Sequence, residues 1–259
     1  MSRRALAAFL AAALAVAAAA CGGDDAGGSG GGKPPLTVSA AASLKGAFTD
    51  YGEHFADASA RYSFAGSDEL AAQIQKGVRP DVFAAANTKL PEVLYKQGLV
   101  EKPTIFAGNR LVLAVPADAT KVRSLTDLER PGATLAVGAP DVPIGDYTRT
   151  VLAKLPEAQR RAILANVRSQ EPDVSGITGK LTQGAVDAGF LYVSDVRATD
   201  DKLRAIALPA SLQPSVAYGA AVIKGARHPA QARKFIAGLL HGAGAKALQG
   251  AGFEPPPAQ

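Results

Sequence analysis

The chain reads LTVSAAASLKGAF over residues 36–48, a segment that combines a strand, a tight turn of small residues and the start of a helix. Apolar residues then recur at the i, i+3, i+4 and i+7 spacing of one helix face: Leu44, Ala47, Phe48 and Tyr51. Ser43 stands at the predicted N-cap of this helix, where unpaired backbone N–H groups and the helix dipole favour negative charge. The segment therefore predicts an anion site, with the alternative that Ser43 serves only as the cap of its own helix.

A second copy of this pattern follows at residues 61–74, RYSFAGSDELAAQI. Tyr62 and Phe64 alternate as in a strand, and Ser67 opens a helix with acidic residues in its first turn. The carboxyl ends of neighbouring parallel strands meet at one edge of a sheet, where α/β proteins bind ligands. Ser43 and Ser67 are therefore predicted to face one crevice.

The N-terminal 20 residues have the features of a signal peptide, since Arg3 and Arg4 precede an apolar run that ends in small residues. Cys21 is the only cysteine, so no intrachain disulfide can form. Residues 18–21, AAAC, resemble a bacterial lipobox, although Ala18 stands where that pattern usually has leucine. We expect residues 21–35 to be a lipidated cysteine and a flexible Gly-rich linker, the alternative being an ordinary signal peptide with an incidental cysteine.

The composition excludes several classes of partner. Removal of residues 1–20 takes away two arginines and no acid, which lowers the formal net charge from +5 to +3. The remaining basic residues are scattered, so no nucleic-acid partner is expected. The chain has no Trp and only 6% aromatic residues, which argues against a stacking platform for sugars or bases.

Strands alternate with helices after residue 36, which predicts an α/β fold with mostly parallel sheets. Residues 110–116, RLVLAVP, read as a buried strand, and a turn-rich loop opens onto a helix predicted over 147–155. Loop-like segments after Pro116 and over 209–214 suggest two chain crossings between two lobes. The predicted lobes are residues 36–114 with 216–259, and residues 115–215. Two lobes joined in this way leave a cleft in which ligands tend to bind.

Six motifs, in this order, resemble those of the periplasmic molybdate-binding proteins of the ModA type, which serve oxyanion ABC importers. They are AASL (41–44), FAGSDELAAQI (64–74), PDVFAAAN (80–87), GNRLVLAVP (108–116), LAVGAPDVPIGDY (135–147) and GFLYVSD (189–195). The resemblance covers nearly all of residues 36–253. It implies a type II periplasmic-binding-protein fold, with two lobes that are each a sheet flanked by helices and two crossover segments at the hinge. It also implies capture of molybdate, and of tungstate, for delivery to an ABC importer.

The resemblance further implies five hydrogen-bond donors for the oxyanion. They are the side-chain hydroxyls of Ser43, Ser67 and Tyr192 and the backbone N–H groups of Ile144 and Val174.

Two positions depart from the family pattern, because Gly66 and Asp68 stand in a turn that carries more serines in many relatives. Without the resemblance, Ile144 and Val174 also fit plain core or loop residues. The hydroxyl of Tyr192 could equally bond a backbone carbonyl, since buried tyrosines usually need a partner.

The implied donor set suits the chemistry of molybdate, a tetrahedral dianion whose oxygens only accept hydrogen bonds. Hydroxyls and helix N-termini supply donors without a full positive charge. Cavity size would then separate molybdate and tungstate from the smaller sulfate and phosphate, but not from each other. Because the donors come from both lobes, we expect binding to close the lobes.

Three other functions fit the sequence less well. Another tetrahedral oxyanion, sulfate or phosphate, is the nearest alternative on the same fold. A hydrolase with Ser43 or Ser67 as nucleophile would need a base and an orienting acid, and the chain has no G-x-S-x-G elbow. Capture of a metal cation lacks ligands at the usual spacing. We therefore expect a monomeric, non-enzymatic, extracytoplasmic protein, lipid-anchored through Cys21, with no cofactor and with a membrane permease as partner.

Overall fold

The structure, a computed structural model, describes residues 32–258. The predicted signal peptide, Cys21 and most of the predicted linker lie outside the described residues. Within residues 32–258, no helix combines the length and the apolar character that a membrane span requires.

The described chain contains ten strands in two sheets of five, with the orders β2-β1-β3-β10-β4 and β7-β6-β8-β5-β9. The strands are β1 (Pro35–Ala41), β2 (Ser59–Ala65), β3 (Val82–Ala85), β4 (Thr104–Asn109), β5 (Leu111–Pro116), β6 (Leu135–Gly138), β7 (Val167–Glu171), β8 (Ala188–Tyr192), β9 (Leu203–Ala207) and β10 (Val216–Val222).

Nine α-helices flank these sheets within residues 32–258. They are α1 (Lys45–His54), α2 (Ser67–Gln75), α3 (Lys89–Lys96), α4 (Pro143–Ala153), α5 (Glu157–Ala165), α6 (Val174–Thr182), α7 (Val193–Arg197), α8 (Pro229–Leu240) and α9 (Ala243–Gly250). Short 3₁₀ segments cover Ala42–Leu44, Leu125–Glu129 and Ala210–Leu212.

The two sheets share one layout. In each, the second strand runs parallel to both neighbours, and the fourth runs antiparallel to both of its neighbours. In each sheet, hydrogen bonds between a threonine and an aspartate join the second and third strands. Asp81 accepts hydrogen bonds from the N–H and hydroxyl of Thr37, and Asp187 accepts them from the same groups of Thr134. Equivalent turns of the two lobes can therefore meet at one place.

The two-lobed α/β fold is confirmed, but each sheet is mixed, where the sequence predicted mostly parallel sheets. The reason is that β5 and β10 enter directly from the opposite sheet, without an intervening α-helix to reverse their direction. The first crossing lies at Arg110, before the predicted boundary at 115, because Leu111–Pro116 pairs with β8 and β9 of the second sheet.

Helix α1 is anchored by the apolar face that its sequence predicts. Phe48 packs edge-on against Phe235 of α8, with 5.5 Å between ring centroids. The hydroxyl of Tyr51 donates a hydrogen bond of 3.2 Å to the carbonyl of Phe235. These contacts fix the start of α1 and therefore the position of Ser43, which lies in the turn just before it.

Candidate functional site

A small cavity of about 20 Å³ lies between the two sheets, so it admits only a ligand of very few atoms. The structure places all five predicted donor residues in its wall: Ser43, Ser67, Ile144, Val174 and Tyr192. Ser43 and Ser67 follow the carboxyl ends of β1 and β2 in one lobe. In the other lobe, Ile144 and Val174 follow β6 and β7, and Tyr192 is the last residue of β8, as parallel α/β units predict. Among the described residues, those that line this cavity include no lysine and no arginine.

Ser67 is oriented from behind by the backbone of a neighbouring turn. It is the first residue of α2 rather than the cap, because Gly66 has the extended backbone of an N-cap. The N–H of Ala86 donates to Ser67 Oγ over 3.1 Å. Since a backbone N–H can only donate, the Ser67 oxygen is the acceptor, and its own hydrogen is left for the cavity.

Ser43 is not a helix cap, contrary to the sequence prediction. It lies inside the 3₁₀ turn Ala42–Leu44, and the residue with extended, cap-like backbone is Ala41, with φ −52° and ψ 142°. The Ser43 hydroxyl instead lies 3.0 Å from the hydroxyl of Tyr218 on β10. Sequence analysis missed Tyr218; the available signal was a lone tyrosine in an apolar strand, whose buried hydroxyl requires a partner.

Helix α4 presents Ile144 to the cavity and begins at Pro143, four residues before the predicted start. Proline at the first helical position has no N–H, so Ile144 carries the first free donor of this helix. Close packing of the preceding turn holds that donor in place. A Cβ on Gly145 would collide with the carbonyl oxygen of Ala139, so only glycine fits there.

Val174 begins α6, and Asp173 caps this helix. The Asp173 carboxylate accepts from the N–H groups of Ser175 and Gly176, at 2.7 and 3.3 Å. The N–H of Val174 is therefore the donor that this cap leaves for the cavity. Asp173 lies in the cavity wall, and both capping bonds go to its Oδ1.

Tyr192 is fully buried in the cavity wall, and no hydrogen-bond partner for its hydroxyl exists within residues 32–258. Burial, together with the nearby Tyr218, raises the pKa of Tyr192 well above its ordinary value. The phenol therefore stays protonated and can donate to a ligand over the physiological pH range. A buried hydroxyl without a hydrogen-bond partner lowers the stability of the protein. A ligand oxygen that accepts its hydrogen would offset that cost.

The two departures from the family pattern lie where the lobes meet. A Cβ on Gly66 would lie 2.7 Å from the carbonyl oxygen of Pro172, in the opposite lobe, so glycine permits this approach. Burial raises the pKa of Asp68, and the N–H groups of Asp68 and Glu69 oppose the shift by bonding its carboxylate. Asp68 Oδ1 is buried without a hydrogen-bond partner among residues 32–258.

A family model described as bacterial extracellular solute-binding protein matches residues 36–254. The chain belongs to this family. Solute-binding proteins capture a ligand outside the cytoplasm without transforming it, so the chain is an extracytoplasmic binding protein and not an enzyme.

Individual members of the family agree with this assignment. The molybdate-binding protein ModA of Mycobacterium tuberculosis (strain ATCC 25618 / H37Rv) is 37% identical over 227 residues, 85% of each chain. ModA of Haemophilus influenzae is 29% identical and covers 84% of this chain and 89% of its own. The structure of the periplasmic molybdate-binding protein of Azotobacter vinelandii has the same fold, with a TM-score of 0.77 at 22% identity, covering 86% of this chain and 100% of that one.

A buried carboxyl under the site predicts a pH-dependent stability. Burial raises the pKa of Asp195 to about 7, even though its carboxylate accepts a 2.9 Å bond from the N–H of Tyr192. The folded protein then holds a proton that the unfolded chain releases near pH 4, so stability falls as pH rises from about 4 to 7. Asp195→Asn should remove this pH dependence of stability. In calorimetry, the Tm of the variant minus that of wild type should rise by about 5 °C from pH 5 to pH 8.

The matched control is Asp118→Asn, an exposed change in a surface turn, which should shift Tm equally at both pH values. A difference between wild type and Asp195→Asn that does not change with pH would contradict the assignment.

Proposed function

We propose that this solute-binding protein captures molybdate, and tungstate with it, and delivers the oxyanion to the membrane permease of an ABC importer. One observation carries the proposal: three hydroxyls and two helix N-termini from both lobes converge on one cavity that contains no basic side chain. The relatives named molybdate-binding proteins support the choice of ligand.

The direction of the hydrogen bonds favours an unprotonated oxyanion. The Ser67 oxygen already accepts a bond from Ala86, the Tyr192 phenol stays protonated, and Asp173 Oδ1 accepts two bonds from its own helix. Ser67 and Tyr192 therefore offer hydrogens to the cavity. Hydrogenphosphate also needs an acceptor for its own proton, whereas molybdate and tungstate need none.

Charge neutralisation at this site would come from dipoles. Helices α2, α4 and α6 all begin at the cavity, and each helix N-terminus favours an anion. Charge-assisted bonds to N–H and O–H groups are about twice as strong as neutral ones. A dianion can therefore be held without a basic residue, provided that it is small enough to touch donors of both lobes at once.

The proposal includes anchoring to the outer face of the cell membrane by a lipid on Cys21. The support is the sequence AAAC at residues 18–21 and the Gly-rich linker that follows it, and both lie outside the described residues. Such a linker would let the domain reach a permease while it remains attached to the membrane.

An anion titration of residues 33–259, which form one unit, tests the choice of ligand. Isothermal titration with molybdate, tungstate, sulfate and hydrogenphosphate should give comparable tight binding of the first two. Sulfate should bind at least about 100-fold more weakly, because its shorter bonds leave donors unpaired at about 1–3 kcal/mol each. Tighter binding of sulfate or phosphate than of molybdate would refute the proposal.

Loss of a single hydroxyl should weaken binding without unfolding the protein. Ser67→Ala and Tyr192→Phe should each raise the Kd for molybdate about 10- to 100-fold, since a hydrogen bond to a charged group contributes about 1.5–3 kcal/mol. Tyr192→Phe should leave the Tm of the free protein unchanged or higher, because the hydroxyl has no partner within the described residues.

The control for these variants is Ser63→Ala, an exposed serine of β2, which should bind molybdate as wild type does. Unchanged affinity in both Ser67→Ala and Tyr192→Phe would remove these residues from the site.

Closure of the lobes should depend on the small size of Gly66. Gly66→Ala places a methyl group 2.7 Å from the Pro172 carbonyl of the other lobe and should weaken molybdate binding at least about tenfold. The Tm of the free protein should change little, because the neighbour of this methyl group in the same lobe, Asp68 Oδ1 at 2.9 Å, belongs to a side chain that can shift. Gly46→Ala, where a Cβ has no neighbour within 4 Å, is the matched control, and equal affinities of the two variants would contradict this account.

A further inference from the structure

The Ser43 hydroxyl has a second buried hydroxyl behind it. Tyr218 Oη lies 3.0 Å from Ser43 Oγ, and Tyr218 is fully buried on β10. Tyr218 does not line the cavity, whereas Ser43 does. Either oxygen of this pair could be the donor by distance alone, and the choice decides which way the Ser43 hydrogen points.

The burial of Tyr218 decides the direction. Within residues 32–258, Ser43 Oγ is the one hydrogen-bond partner of the Tyr218 hydroxyl, and a buried hydroxyl hydrogen without an acceptor lowers stability. Ser43 lines the cavity and can direct its own hydrogen there. Tyr218 therefore donates to Ser43 Oγ, and the Ser43 hydrogen is free for a ligand.

Ser43 and Ser67 are then held in the same way. In each, a fixed donor behind the serine occupies the serine oxygen: the N–H of Ala86 for Ser67 and the phenol of Tyr218 for Ser43. The serine hydrogen is left to point into the cavity. A serine without such a donor could rotate and present its lone pairs to the anion, which would repel it.

We infer that Tyr218 is a positioning residue, which makes Ser43 a hydrogen-bond donor to the bound oxyanion without touching that oxyanion itself. This inference rests on the proposed function. Tyr218 lies on β10, the strand with which the chain returns to the first lobe.

A double-mutant cycle tests this role by isothermal titration of residues 33–259 with molybdate. Tyr218→Phe, which keeps the ring, should weaken binding about tenfold, the size expected for one misdirected hydrogen bond. In a Ser43→Ala background, the same change should alter the affinity less than about twofold, because it acts only through the Ser43 hydroxyl.

The control is Tyr51→Phe, which removes another buried hydroxyl from the same lobe, one that donates to the Phe235 carbonyl. It should lower stability and leave molybdate affinity unchanged. A neutron structure of the wild-type protein with molybdate is a second measurement, in which the Tyr218 hydrogen should point at Ser43 Oγ and the Ser43 hydrogen at a molybdate oxygen.

The outcomes separate this inference from the proposed function. If wild type binds no molybdate, the proposed function fails. If wild type binds and Tyr218→Phe binds equally well, or if its effect is the same with and without the Ser43 hydroxyl, the positioning role is overturned. If Tyr218→Phe does not fold, the neutron structure decides, and a Ser43 hydrogen directed at Tyr218 would overturn the same role.

Discussion

The proposed site depends on one constraint, the direction of the hydrogen bonds that face the cavity. An unprotonated oxyanion accepts and never donates, so every group that faces it must present a hydrogen. Backbone N–H groups at helix starts meet this requirement by their covalent structure. The hydroxyls of Ser67 and Ser43 meet it because a donor behind each of them occupies its oxygen, and the Tyr192 hydroxyl has no other partner within residues 32–258.

The shared layout of the two sheets brings these donors together. Each lobe presents the carboxyl ends of its parallel strands to the other, and the helices that start there point their N-termini at the cavity. Because the proposed donors come from both lobes, we expect the arrangement with the lobes together to be the binding form. The close approach of Gly66 to Pro172 shows how little space separates the lobes at this point.

Much of this architecture could be predicted from the sequence, because the signals are local. Apolar spacing predicts the buried face of α1, and the motifs around Ser67 and Tyr192 place their residues after strands that end at one edge. The sequence predicts a start of α4 four residues beyond the observed one. The reason is that a proline within a turn-rich loop can equally end a loop or begin a helix.

Other features depend on contacts that no local pattern encodes. Tyr218 is 175 residues from Ser43 in the sequence, so the serine resembles a cap until the fold brings the two hydroxyls together. The mixed strand directions follow from how the chain returns between lobes, and the need for glycine at position 66 follows from the opposite lobe.

The most direct test of the central claim is an anomalous diffraction map at the molybdenum edge, from crystals of residues 33–259 grown with molybdate. We predict one strong peak between the lobes, with oxygens within hydrogen-bond distance of Ser43 Oγ, Ser67 Oγ and Tyr192 Oη and with no lysine or arginine in contact. A peak on a basic surface patch, or a molybdate held by groups of one lobe only, would contradict the account.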